Sequence, residues 1–263
     1  MSKRAVVLSV CLAACGGDDG SKMVDARVNT GPEYNLSCLD YVPPSVDNPI
    51  NIALTVFDMG TLPMAPTLPN VEVKAYDTDG TTVITMGTTD DMGVVNLSIP
   101  TNGTTPAKGD VGAAPAGFPV QRGAVTAGGT KSGPDNFPIY PQVFVDGLYT
   151  ALGATADSSK GTLVVILADC SGNNMPSVTP SLAEAPDATW AMYGGIGAWL
   201  VRTSTVNHPM YMAGSVAGTT NVEPGMHTVK LKTLARDLTP ITVRVHAGEL
   251  SVLYYFPGVW QRP

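Results

Sequence analysis

The stretch VEVKAYDTDG, residues Val71 to Gly80, decides the fold class of this chain. Val71, Val73 and Ala75 alternate with polar or amphipathic residues, which is the period of a β-strand that buries one face. The stretch ends in Asp77-Thr78-Asp79-Gly80, and Asp and Gly tolerate the positive φ that tight turns need. It therefore predicts a half-buried strand that leads into a β-hairpin.

The same pattern recurs on both sides of this stretch. Ile52, Leu54 and Val56 alternate before it, and Val95, Leu97 and Ile99 alternate after a second turn at Asp90 to Gly93. Further along, Leu163 to Leu167 is a continuous apolar run, typical of a central strand that is covered on both faces. Turns at this spacing favour antiparallel β-sandwiches over βαβ units.

We therefore predict an all-β chain with two tandem antiparallel Ig-like β-sandwiches. The first spans residues 38–145 and the second spans 161–260, with a helical linker at 146–160. Asp146 is the expected N-cap of the linker helix, and Leu148 and Leu152 would share one of its sides. The linker ends in the polar run Asp157 to Gly161, which marks the predicted boundary.

The first residues have the organisation of a secretory leader. Lys3 and Arg4 precede an apolar run that ends in Leu12-Ala13-Ala14-Cys15, and this run is too short to span a bilayer. The ending resembles the lipobox of bacterial lipoproteins. The resemblance implies that residues 1–14 are removed, that Cys15 is acylated, and that residues 15–37 are a tether which joins the protein to a membrane. Gly16, where a retention signal has Asp, favours the outer membrane.

Composition limits the class of partner. The formal net charge is −7, so the chain has no basic footprint for nucleic acid and none for anionic lipid. Hydrophobic residues make up 44% of the sequence, enough for a packed core. We expect an extracellular protein or a polysaccharide as partner, and no cofactor.

Cys38 and Cys170 are the two cysteines that remain once Cys11 leaves with the leader and Cys15 carries lipid. In an oxidising compartment such a pair predicts a disulfide. Metal-type spacing such as C-x-x-C is not found in the sequence.

Two groups of residues raise the question of a ligand site. Trp190, Tyr193, Trp199 and Tyr211 could form an aromatic platform for a sugar or peptide, although strand aromatics more often belong to a core. The aspartates of the two turns have oxygens that suit Ca²⁺, but turns need Asp in any case. The sequence contains no G-x-S-x-G nucleophile elbow, and we predict a non-enzymatic protein with no catalytic residues.

Three segments resemble Cna-B-type and carboxypeptidase-regulatory-like domains. They are Asn70 to Gly80 with Thr88 to Gly93, Val222 to Val229 with its V-E-P-G, and Val243 to Glu249, which resembles the closing V-x-V-x-A-G-E hairpin of these domains. The resemblance implies transthyretin-like β-sandwiches that act as stalks or interaction modules. Tandem copies behind a lipobox are similar to surface lipoproteins of myxobacteria-like bacteria.

Overall fold

The structure is a computed structural model. It describes residues 46–61, 65–127, 134–169, 173, 175, 178–193, 199–202, 216–233 and 237–255. Within these residues, no helix is both long and apolar enough to cross a membrane.

The first half of the described chain consists of seven strands and then one helix. The strands are β1 (Ile50–Asp58), β2 (Glu72–Tyr76), β3 (Val83–Thr88), β4 (Val94–Ile99), β5 (Ala107–Ala113), β6 (Gln121–Ala127) and β7 (Asp135–Ile139). A short 3-10 helix, Met59–Thr61, follows β1, and the α-helix α1 spans Gln142–Leu152.

The second half adds eight strands. They are β8 (Gly161–Leu167), β9 (Thr179–Leu182), β10 (Trp190–Tyr193), β11 (Trp199–Arg202), β12 (Val216–Val222), β13 (Gly225–Lys232), β14 (Ile241–Val245) and β15 (Leu250–Tyr255). The prediction of an all-β sandwich fold is confirmed.

One large sheet runs through both halves of the chain. Its nine strands have the order β11-β10-β12-β8-β15-β6-β5-β2-β3, and two three-stranded sheets, β4-β1-β7 and β14-β13-β9, face it. The first small sheet and the β6-β5-β2-β3 end make the first sandwich, and the second small sheet and the remaining strands make the second. The predicted division at residues 146–160 stays a prediction, but a single sheet continues across it.

Alternating apolar residues form the core of each sandwich, as the sequence predicts. In the first, Ile52, Leu54 and Val56 of β1 pack with Val73 and Ala75 of β2. These side chains are removed from water on one face of each strand, while their neighbours stay partly exposed. Such burial is the main favourable contribution to folding.

Strand β8 is covered on both faces, as its continuous apolar run predicts. Leu163, Val165 and Leu167 lie in the core of the second sandwich, while Val164 packs on the other side with Leu148 of α1. The helix therefore lies on the outer face of the large sheet. There a side chain on Gly218 of β12 would place its Cβ 2.6 Å from Leu148 Cδ2, so the helix packs closely against the sheet.

The helix begins earlier than the sequence predicts. Its N-cap is Pro141, which makes no side-chain capping bond, so the prediction that Asp146 caps the helix is wrong. Asp146 Oδ1 instead accepts a hydrogen bond from the side-chain amide of Gln142, one turn before it, at 2.8 Å. Pro141 fits this place because its fixed φ and missing N–H cost little at a helix start. The helix ends at Gly153, which has φ of 61°.

Three ladders are parallel, which the prediction of purely antiparallel sandwiches missed. Strand β1 pairs in parallel with β7, and β15 pairs in parallel with both β6 and β8. The last strand thereby joins the two sandwiches, because Leu250 lies opposite Gln121 on one side and Thr162 on the other. Strand periodicity is the same in either ladder, so it does not reveal direction.

The predicted turns form, but not all of them are hairpins. Asp77 to Gly80 joins β2 to β3 within one sheet, as predicted. The turn at Asp90 to Gly93 instead joins β3 of the large sheet to β4 of a small one, and the turn after His246 joins β14 to β15 in the same crossing manner. The closing hairpin expected at Val243 to Glu249 is therefore a crossing between two sheets.

Candidate functional site

A cluster of polar side chains lies where the two sandwiches meet. Its members come from β2, β5 and β6 on one side and from β14 and the following turn on the other. We call this set the junction cluster: Tyr76, Asp110, Arg122, Arg244, His246 and Glu249.

Arg122 is the centre of the junction cluster. Its Nε donates to Glu249 Oε2 at 2.6 Å and its Nη2 donates to Glu249 Oε1 at 3.4 Å, which is the forked geometry that favours Arg with carboxylate. Its Nη1 donates to the carbonyl of Gly80 at 2.8 Å, and its Cζ lies 3.9 Å from the centroid of the Tyr76 ring. The Arg122 and Glu249 side chains are only 12% and 20% exposed, so solvent screens this ion pair less than a surface pair.

Two further contacts join the sandwiches at the same place. Arg244 Nη2 donates to the carbonyl of Thr78 at 2.7 Å, and His246 Nε2 lies 3.3 Å from Asp110 Oδ2. Gly80 has φ of 71°, and a Cβ there would lie 2.5 Å from Arg244 Cδ. The turn from Asp77 to Gly80 thus needs glycine both for its backbone and for room beside Arg244. The arrangement can hold two bodies in one orientation.

A second cluster, of aromatic rings, lies between α1 and the outer face of the large sheet. Phe144 is 4.4 Å from Tyr140, 5.3 Å from Tyr193 and 4.8 Å from Trp199, measured between ring centroids. Trp199 Nε1 donates to the carbonyl of Phe144 at 3.1 Å. Burial raises the pKa of Tyr140, so its phenol stays neutral. The cluster fastens the helix to the sheet.

The structure separates the residues predicted as an aromatic platform. Trp190 is 1% exposed and packs in the core of the second sandwich. Tyr193 and Trp199 lie on the opposite face of the sheet, against α1 and 5.4 Å from each other. Tyr211 lies outside the described residues. A shared surface that joins Trp190 to Tyr193 and Trp199 is therefore not formed.

The predicted lipidation and disulfide residues cannot be placed in the fold. Cys15, Cys38 and Cys170 all lie outside the described residues, so both assignments stay predictions.

The turn aspartates hydrogen-bond within their own turns. Asp79 Oδ1 accepts hydrogen bonds from the backbone N–H groups of Thr81 and Thr82. Asp90 Oδ1 accepts hydrogen bonds from the backbone N–H groups of Met92 and Val94. Hydrogen bonds to Asp79, above all from the Thr82 hydroxyl and then from the two amides, lower the pKa of its carboxyl. Among the described residues, no group of three or more His, Cys, Asp or Glu side chains is arranged to hold a metal ion.

Sequence reasoning missed the junction cluster. Glu249 belongs to the A-G-E ending of a segment that resembles a family motif, but its partner Arg122 is 127 residues away in the chain. The signal that was available is Arg122 itself, the single charged residue of strand β6. Nothing in the sequence pairs it with Glu249, because the pairing depends on the parallel ladder between β6 and β15.

Comparison with known proteins gives only distant similarity. No protein-family model matches the chain, and no curated protein matches it. Among solved structures, the shaft pilin SpaA from Lactobacillus rhamnosus GG is 12% identical with a TM-score of 0.26, covering 78% of this chain and 96% of that one. BcpA, the major pilin subunit of Bacillus cereus, is 9% identical with a TM-score of 0.25, covering 79% and 99%. The Bacillus anthracis TIE protein is 13% identical with a TM-score of 0.26, and the match covers 78% of this chain but spans only 34% of that protein's length.

Proposed function

We propose that this chain is a non-enzymatic, lipid-anchored protein of the bacterial cell envelope, with its β-sandwiches acting as a structural or interaction module. The anchoring part rests on Leu12-Ala13-Ala14-Cys15 and the polar Gly-rich run after it. Two or more acyl chains hold a protein stably on a membrane, so the chain needs no spanning helix for this role. Gly16 supports an outer-membrane position.

The module part rests on one observation, the continuous sheet with the junction cluster. Domains joined by a flexible linker move relative to one another by default. Here β15 is hydrogen-bonded to strands of both sandwiches, and Arg122 and Arg244 bond across the same boundary. Such a body keeps its length and presents its outer edges in a fixed orientation, which suits a spacer or a display platform.

Replacing Cys15 by serine tests the anchor. Without the thiol no thioether to lipid can form, so we expect C15S to leave the membrane pellet and to appear in the soluble envelope fraction. Cell fractionation with immunoblotting measures this. The matched control is C11S, which changes a leader cysteine that is removed and should fractionate as the natural protein does. Equal retention of C15S and the natural protein in the pellet would show that the anchor lies elsewhere.

The pairing of Cys38 with Cys170 is a separate expectation. Strand β8 is followed by Ala168 and then by Asp169, and both residues are buried, each 5% exposed. The residue that precedes Cys170 is therefore held in place by the second sandwich. We expect no thiol labelling of either cysteine in the unfolded, unreduced protein, and labelling of both after reduction. Mass spectrometry of the labelled peptides measures this, and quantitative labelling before reduction would exclude the bridge.

A further inference from the structure

The first sandwich has one side whose two sheet edges are both open. Strand β3 ends the large sheet and β4 ends the small sheet β4-β1-β7, and within the described part of the chain no strand pairs with their outer edges. The two strands are consecutive and in contact, and a Cβ on Gly87 of β3 would lie 2.7 Å from Val95 Cγ2 of β4. We call the outer edges of Val83–Thr88 and Val94–Ile99 the open side.

Within β3 and β4 the open side lacks two of the features with which sheet edges usually resist strand pairing, namely charged residues and prolines. A charge or a proline in an edge strand discourages a second strand from docking. Each other terminal strand in the described sheets carries one: Asp135 and Pro138 in β7, Pro180 in β9, Arg202 in β11 and Arg244 in β14. Neither β3 nor β4 contains a charged residue or a proline. Among the terminal strands that the structure describes, β3 and β4 are therefore the two that carry neither a charge nor a proline.

The backbone of β3 is oriented to accept a strand. The Thr89 amide donates to the carbonyl of Val71 at 3.0 Å, so the N–H of Thr89 points toward the β2 side. Gly87 and Thr85 lie two and four residues before Thr89, opposite Val73 and Ala75, and their N–H and C=O groups point toward β2 in the same way. Because antiparallel hydrogen bonds alternate in this way, the N–H and C=O groups of Met86 and Thr88 point away from β2. The register shift near Val83 bends the beginning of the strand, so the regular edge is Thr85 to Thr88. Apolar surface adjoins it, with Met86 58% exposed and Met92 69% exposed.

Charge decides which kind of strand fits. Asp77 and Asp79 lie in the exposed turn before β3, and this turn stays net acidic with Arg244 bonded to its Thr78 carbonyl. Asp90 and Asp91 lie in the exposed turn after β3. An antiparallel pair of two β3 strands from two copies would set the acidic turn of one against the acidic turn of the other. Like charges placed opposite each other oppose pairing, so a second copy is disfavoured. A strand that is basic at both ends meets opposite charge at both turns.

We propose that the open side binds an extended segment of a protein partner by strand addition to β3, and that this segment has basic residues at both ends. Main-chain bonds to Met86 and Thr88 would give the affinity, and the acidic turns would select the charge pattern. The proposal rests on the role as an interaction module and is independent of the lipid anchor, so failure of the C15S test does not affect it.

A labelled peptide tests the proposal with the full chain purified in detergent. The probe is a fluorescein-labelled nonapeptide of sequence KVTVTVTVK, compared with EVTVTVTVE and with KVTPTPTVK, which keeps the charge but cannot form a ladder. Fluorescence anisotropy should show KVTVTVTVK binding about tenfold more tightly than EVTVTVTVE, as expected for two exposed charge pairs. The difference should shrink when the Debye length falls from about 30 Å to about 8 Å on adding salt.

Variants at Met86 locate the binding surface. M86P removes an N–H that points to solvent, so the β2–β3 ladder stays intact while the docking edge loses a donor, and affinity should fall about tenfold. M86A removes the same side chain but keeps the N–H, so it is the reference for M86P, and the difference between the two variants reports the backbone donor. Hydrogen exchange on the natural chain should slow at Met86 and Thr88 when KVTVTVTVK is bound. Equal binding of KVTPTPTVK, equal affinity of M86P and M86A, protection at another edge, or no binding to the natural chain would each overturn the proposal.

Discussion

Replacing Arg122 by methionine is expected to lower the free energy of unfolding by about 2 to 3 kcal/mol, because Glu249 is then left largely buried without its partner. Methionine keeps most of the apolar length of the side chain, so the loss reports the charge and its hydrogen bonds. The change also removes the bond to the Gly80 carbonyl and the contact with the Tyr76 ring. Urea unfolding followed by tryptophan fluorescence and circular dichroism measures the effect.

The matched control is the ion pair between Lys74 and Glu72. It has the same 2.6 Å separation, but its side chains are 35% and 56% exposed. Exposed pairs contribute little, so K74M should leave the unfolding midpoint almost unchanged. The double variant R122M/E249M should recover part of the stability lost in R122M, since it leaves no unpaired charge. Equal midpoint shifts in R122M and K74M would contradict the structural role of the junction cluster.

The sequence contains enough information for the strands but not for their partners. The alternation at Ile52, Leu54 and Val56 requires only that one face of the strand is buried and the other is exposed to solvent, which is a local property. Pairing is not local: β15 lies beside β6 and β8, and both ladders are parallel. A prediction built on antiparallel neighbours could therefore place the strands of two sandwiches and still miss the sheet that joins them.

The turns show the same limit. Asp77 to Gly80 and Asp90 to Gly93 have similar composition, and both form tight turns in which an Asp carboxylate accepts backbone amides. The first closes a hairpin and the second crosses between sheets. Where the chain crosses between the sheets, Gly87 of β3 lies close to Val95 of β4. This contact depends on the packing of one sheet on the other, which the composition of the turn does not reveal.

The start of the helix departs from the prediction for a different reason. Asp146 has a good capping side chain, but Pro141 precedes a segment in which Val145 and Leu148 are buried against the sheet, and that burial decides where the helix begins. Tertiary packing therefore outweighs the local capping signal. For the aromatic residues, alternation along β10 sends Trp190 into the core and Tyr193 to the opposite face of the sheet.

The replacement of Trp190 by alanine should have the largest effect of all, about 3 to 5 kcal/mol of unfolding free energy. Trp190 is 1% exposed in the core of the second sandwich, so truncation removes a large ring and leaves a cavity that the sheets cannot fully close. The expected result is loss of stability. Loss of a carbohydrate or peptide ligand from an intact protein is the outcome that a surface platform would give.

W190F is the variant that separates these two interpretations. Within the described residues Trp190 Nε1 has no hydrogen-bond partner, and phenylalanine removes only part of the ring volume, so W190F should cost about 1 kcal/mol. V143A gives the exposed reference, because Val143 of α1 is 72% exposed and should tolerate truncation with a midpoint close to that of the natural protein. Urea midpoints should therefore fall in the order natural protein and V143A, then W190F, then W190A. A W190A protein that unfolds at the natural midpoint but no longer binds a glycan on an array would place the indole on a binding surface and contradict its place in the core.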